Sequence, residues 1–167
     1  MIRWITLLLA VLSLVLLTGC PYTSKVPLAE PDGNATDDHL IGKWVGVDSD
    51  GDSLQIAILP FNQREYYAEL REKSGAPTGY RVFSFDVGGE RFLHINELAP
   101  VRSPLEYSFA RYTFSGESEL ALRFVGDKTV PTALANDRQA LLSFLKAHLA
   151  DPSLNDEEGV LALHRSQ

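Results

Sequence analysis

Between residues 42 and 125 the chain repeats one pattern that limits its choice of fold. Short runs alternate apolar and polar residues, and turn-forming residues separate them. The runs are 42–47, 53–59, 65–72, 79–87, 91–98, 106–114 and 118–125. Within them Leu54, Ile56 and Ile58 share one face, as do Tyr66, Ala68 and Leu70, and Phe83, Phe85 and Val87. A period of two puts one side of each run towards a core and the other towards solvent, which is the signature of antiparallel strands. The separators carry turn chemistry: Asp48-Ser49-Asp50-Gly51-Asp52, a Gly- and Pro-containing stretch over 74–78, Gly88-Gly89, a longer loop with Pro100 and Pro104, and Ser115-Gly116-Glu117.

After residue 125 the period changes. Leu141, Leu142, Phe144, Leu145 and Leu149 fall on one helical face. Asn136, with Gln139 three residues on, has the spacing of a capping box, and Asp151-Pro152 stops the helix. A last alternating run covers 159–165. The expected fold is mainly β: about eight short strands forming a single antiparallel barrel, with one helix near the C-terminus. Closure removes exposed sheet edges, and eight strands enclose an interior that is filled by side chains or holds one small ligand.

Composition fits one such domain. Of 167 residues, 45% are hydrophobic and 22% charged, which is ordinary for a globular chain. The net charge is −7 with no Lys/Arg cluster, so a nucleic-acid partner is not expected. Cys20 is the single cysteine, so there is no disulfide framework and no Cys-rich metal site, and the fold rests on its apolar core.

Cys20 closes a distinctive N-terminal stretch. Met1-Ile2-Arg3-Trp4 carries one positive charge and is followed by an uncharged, mostly apolar run over 5–17. That run is short for a membrane span, which needs about 20 apolar residues, and fits the apolar core of a signal peptide. Leu17-Thr18-Gly19-Cys20 then resembles the lipobox of bacterial lipoproteins. The resemblance implies a signal peptide over 1–19, diacylglyceryl transfer to the Cys20 thiol, cleavage before Cys20 and acylation of its new amine. Two or more acyl chains make a stable anchor. Pro21 is not the Asp that retains such proteins in the inner membrane, so the expected address is the periplasmic side of the outer membrane. Residues 20–39 contain three prolines and scattered polar residues, and read as the lipidated Cys and a flexible tether. Residues 40–167 form the domain.

The start of that domain carries a second resemblance. Leu40-Ile41-Gly42-Lys43-Trp44 is similar to the Gly-x-Trp opening of lipocalin-like barrels, in which the Trp plugs the closed end and an Arg from a late strand lies across its ring. The resemblance gives Gly42 and Trp44 those roles and makes Arg165 and Arg123 the candidates for the arginine, with Arg165 preferred. Residues 40–165 as a whole also resemble a group of uncharacterised bacterial lipoproteins, which implies no established activity.

Motifs for chemistry are few. Asp48-x-Asp50-x-Asp52 lacks the Gly and Glu that a calcium-binding loop needs at its sixth and twelfth positions and reads as a hairpin turn. His39, His94, His148 and His164 have no zinc-motif spacing, and no Gly-x-Ser-x-Gly or Gly-rich phosphate loop occurs. No metal, cofactor or catalytic residue is expected. His94 and Asn96 share a strand face opposite Leu93 and Ile95. Pointing inward they line a pocket with Tyr107 and Phe109; pointing outward they are surface. The leading expectation is non-covalent binding of a small apolar ligand or an envelope component. The alternatives are a structural or assembly protein that binds another envelope protein and, behind it, a hydrolase built on His94 or His164 with a Ser and a carboxylate.

Overall fold

The structure, a computed structural model, describes residues 21–31, 36–48, 50–98 and 106–166, with the side chains of 156–159 left aside. The N-terminal stretch expected to be a signal peptide, Cys20 and the loop holding Pro100 and Pro104 lie outside the described residues.

Eight antiparallel strands close into a barrel in sequential order. They are β1 (Gly42–Val47), β2 (Ser53–Pro60), β3 (Tyr66–Glu72), β4 (Thr78–Val87), β5 (Glu90–Glu97), β6 (Tyr107–Ser115), β7 (Glu119–Val125) and β8 (Asn155–Arg165). Closure is made where β1 meets β8, with Trp44 opposite Arg165 and Gly46 opposite Leu163. Gly46 is needed there, since a Cβ would stand 2.6 Å from the Ala162 carbonyl oxygen. β8 begins earlier than the alternation over 159–165 indicates. Its first part joins β7 through Val125 and Asn155, across an irregularity in register next to Arg123.

The alternation yields two cores, one on each face of the sheet. Inside the barrel lie Trp44, Leu54, Ile58, Tyr66, Ala68, Val82, Leu93, Ala110, Tyr112, Leu120, Leu122 and Leu163. Outside it, Phe83, Phe85, Val87, Phe92, Phe109 and Val125 form a second apolar surface. Helix α1 (Arg138–His148) covers this surface with the fully buried Leu141 and Leu145, each contributing about 1.5–3 kcal/mol. The α1 cap is Asp137, whose carboxylate accepts the Ala140 N–H at 3.0 Å. The expected cap, Asn136, instead ends a preceding 3-10 segment, Thr132–Asn136, so the cap lies one residue later.

Residues 21–31 complete the outer core, and here the expectation of a flexible tether does not fit the described residues. Tyr22, Ser24 and Leu28 are almost wholly buried. The Tyr22 N–H donates to the Val125 carbonyl at 2.8 Å, and Ser24 and Tyr107 exchange both backbone hydrogen bonds at 2.9 Å. Arg138 of α1 donates to the Leu28 carbonyl at 3.1 Å. The segment is a strap docked between the sheet and α1. It uses isolated bridges and single buried side chains, so its sequence needs no periodicity.

The strand directions define two ends. The turns β2–β3, β4–β5 and β6–β7 lie at one end, with a 3-10 turn over Asp38–Leu40. The turns β1–β2, β3–β4 and β5–β6 lie at the other, with both ends of the long β7–β8 connection.

Candidate functional site

The first end is sealed. Trp44 is completely buried, and its indole N–H donates to the Leu40 carbonyl at 2.8 Å. The Arg165 guanidinium lies over the indole, 4.3 Å from the ring centroid, and donates to the carbonyls of Ile41 at 2.8 Å, His39 at 2.6 Å and Glu117 at 3.1 Å. Arg165 therefore holds the entering chain, β1 and the β6–β7 turn at one point. Gly42 is required beside it: its φ is +144°, and a Cβ would stand 2.6 Å from an Arg165 nitrogen. Arg123 is elsewhere, on the outer face, lining a surface cleft of about 540 Å³ with Glu90, Arg111 and Asn155.

A polar network backs this seal. The Asp37 carboxylate caps the 3-10 turn by accepting the His39 N–H at 3.1 Å, and it accepts from Arg91 at 2.6 Å. Arg91 also stacks over Tyr112, 5.0 Å from the ring centroid, and the Tyr66 hydroxyl bonds the Asp37 backbone. Burial alone would raise the Asp37 pKa. The His39 hydrogen bonds and the charges of Arg91 and His39 together outweigh it and hold the carboxyl below its ordinary range. Tyr112 is pushed well above the usual phenol range, chiefly by burial. Asp37, Tyr66, Arg91 and Tyr112 come from four separate parts of the chain, so no sequence motif could flag them.

The other end is different. Leu70, Tyr80, Ile95 and Phe124, one each from β3, β4, β5 and β7, point inward near this end and are only half-buried. Deeper in the barrel, Trp44, Tyr66, Ala110, Leu120 and Leu163 expose 1% or less. Solvent reaches part of these side chains; at the sealed end Phe114 and Ile41 beside Trp44 are also partly exposed, but the indole they flank is not. Tyr80 stands near Glu72 and Glu97, whose charges add to burial in raising its pKa. The mouth is apolar, with a hydroxyl and two carboxylates at its edge.

The four candidate pocket residues do share one face, through the cross-strand pairs His94–Phe109 and Asn96–Tyr107. That face is the outer one, and it is neither lumen nor open surface. The strap and α1 cover it, His94 is 2% exposed, and its ring stacks on Phe83 at 4.4 Å with Tyr107 at 4.7 Å and Phe109 at 5.4 Å. Neither imidazole nitrogen has a hydrogen-bond partner among the described residues. Burial first, then the charges of Arg138 and Arg81, pull the His94 pKa down to about 4, so the ring is neutral at physiological pH. The rings fill this space themselves. Asn96 stands at its edge and donates to the Glu106 carbonyl at 2.8 Å.

His164 is a surface residue 3.9 Å from Glu119. Asp48 folds its carboxylate back onto the N–H groups of Asp50 at 3.0 Å and Asp52 at 2.8 Å, and Asp52 pairs with Lys73 at 2.7 Å, as a hairpin turn does. Among the described residues no group of three or more His, Cys, Asp or Glu is placed to hold a metal ion. Comparison with protein-family models, curated proteins and solved structures finds no match for this chain.

Proposed function

We propose that this chain is a lipid-anchored protein of the bacterial cell envelope, and that its barrel takes the apolar part of a small ligand through the open end. The observation that carries the ligand reading is the ring of partly exposed inward side chains, Leu70, Tyr80, Ile95 and Phe124, from four strands at the end opposite the Trp44–Arg165 plug. Apolar side chains that water reaches inside a rigid wall gain free energy when a ligand displaces that water. The hydroxyl of Tyr80 and the carboxylates of Glu72 and Glu97 suit a ligand whose head donates hydrogen bonds. The lipocalin-like reading rests on the barrel together with the Gly42, Trp44 and Arg165 arrangement.

The anchor rests on the sequence around Cys20, with the outer membrane as the address because Pro21 follows it. Residues 21–166 contain both cores, so the chain from Pro21 onward is suited to purification from its host without acyl groups. Native mass spectrometry of that material should find a co-purifying small molecule that Ile95→Arg removes. A co-purifying protein and no small molecule would support the assembly reading instead. Radiolabelled palmitate should label the full chain and fail to label the Cys20→Ser variant.

A further inference from the structure

We infer that the open end of the barrel is held against the bilayer, and that its rim is a membrane-contacting surface. This rests on the proposal that Cys20 is acylated. Its independent ground is the docked strap. The Tyr22 N–H is bonded to the Val125 carbonyl at 2.8 Å, and Pro21 bridges to Gly126, where β7 leaves the barrel at the open end. Two residues of chain span at most about 7 Å, so Cys20 cannot lie further than that from Tyr22. The acyl chains therefore leave the protein beside the mouth. The sealed end is a strand length away, about 20 Å or more for the seven residues of β7. A free tether of nineteen residues would allow any orientation; the docked strap leaves one or two residues of freedom.

The rim chemistry selects the kind of surface. Exposed apolar side chains occur at both ends, Val47 and Leu98 at this one and Leu59 and Phe61 at the sealed one, so the attachment point decides which end faces the lipid. Asp48, Asp50 and Asp52 form the turn after Val47. Apolar side chains favour the headgroup boundary, whereas the acidic turn is repelled by anionic lipids. The surface that fits is zwitterionic lipid, with the acyl anchor supplying the attachment and the docked strap setting the orientation. An apolar ligand leaving the membrane would then enter the mouth without crossing bulk water.

The test uses the full, processed lipoprotein in phosphatidylcholine vesicles whose acyl chains carry bromine. Acylation consumes the only native thiol, so Val47→Cys, Leu98→Cys and Phe61→Cys each offer one site for a fluorescent label. All three residues are exposed, and Phe61 lies at the sealed end as the control. Labels at positions 47 and 98 should be quenched several-fold more than the label at 61. Mass spectrometry of the N-terminal peptide separates the two ways to fail. An unmodified Cys20 overturns the anchor proposal and this inference with it. An acylated Cys20 with equal quenching at all three sites, or stronger quenching at 61, overturns the orientation alone.

Discussion

The two ends of the barrel are continuations of the same eight strands, yet they finish in opposite ways. At the sealed end nearly every group has a partner. Trp44 donates to Leu40, Arg165 bonds three carbonyls, and Asp37 draws Arg91 and His39 onto one carboxylate. At the open end Leu70, Ile95 and Phe124 are partly exposed to water. The difference shows where the stability of the fold is concentrated and where it has been left unused.

That contrast is broken most directly at the sealed end, the floor of the barrel. Trp44→Ala removes a fully buried indole and should cost about 3–5 kcal/mol, read as a lower urea midpoint at unchanged slope. The outer core should show the next largest effect, as a pH dependence. His94 is buried neutral with a pKa of about 4, below the 6.5 it has when unfolded. Its contribution is complete above pH 6.5, falls by about 1.4 kcal/mol per unit as pH drops, and is gone near pH 4, roughly 3 kcal/mol in total. Asp37 and Glu65, whose pKa values are lowered, lose their contributions only further into the acid range. Unfolding curves taken between pH 7 and 4 should therefore slope for the native chain and flatten for His94→Phe.

Arg165→Gln keeps a polar side chain but shortens it and loses the guanidinium over Trp44 and the fork onto Ile41 and His39. It should cost about 1–2 kcal/mol, with Trp44 fluorescence changing before global unfolding. Leu70→Ala, at the mouth, should cost about 1 kcal/mol or less because the side chain is only half-buried. If Leu70→Ala proved as costly as Trp44→Ala, the two ends would be equally packed and the contrast would vanish.

Legibility in the sequence followed locality. The strands and their turns were readable because a period of two and turn residues such as Gly51, Gly88 and Gly116 are local signals. The Trp44–Arg165 contact was reachable only through resemblance to a barrel family, since 121 positions separate its partners. The face of His94 could be assigned relative to Leu93, but its cover could not, because that cover comes from residues 21–31 and α1. The strap itself reads in the sequence as a linker. Its prolines exclude periodic structure, and the hints of docking are the apolar residues Tyr22, Val26, Leu28 and Ala29 scattered through it. The floor network of Asp37, Tyr66, Arg91 and Tyr112 left no trace in one dimension, because each of those residues is individually ordinary for its strand or turn.

The most direct test of an open, ligand-accepting mouth is a titration of a fluorescent long-chain alkylamine, whose head donates hydrogen bonds, into the chain from Pro21 onward, alongside Ile95→Arg and Val45→Arg. Ile95 points into the mouth, whereas Val45 lies on the outer wall of β1 and is already exposed. The expected result is saturable binding that Ile95→Arg abolishes and Val45→Arg leaves unchanged, with both variants folded by circular dichroism. Binding that is absent in the native chain, or equally insensitive to both substitutions, would contradict it.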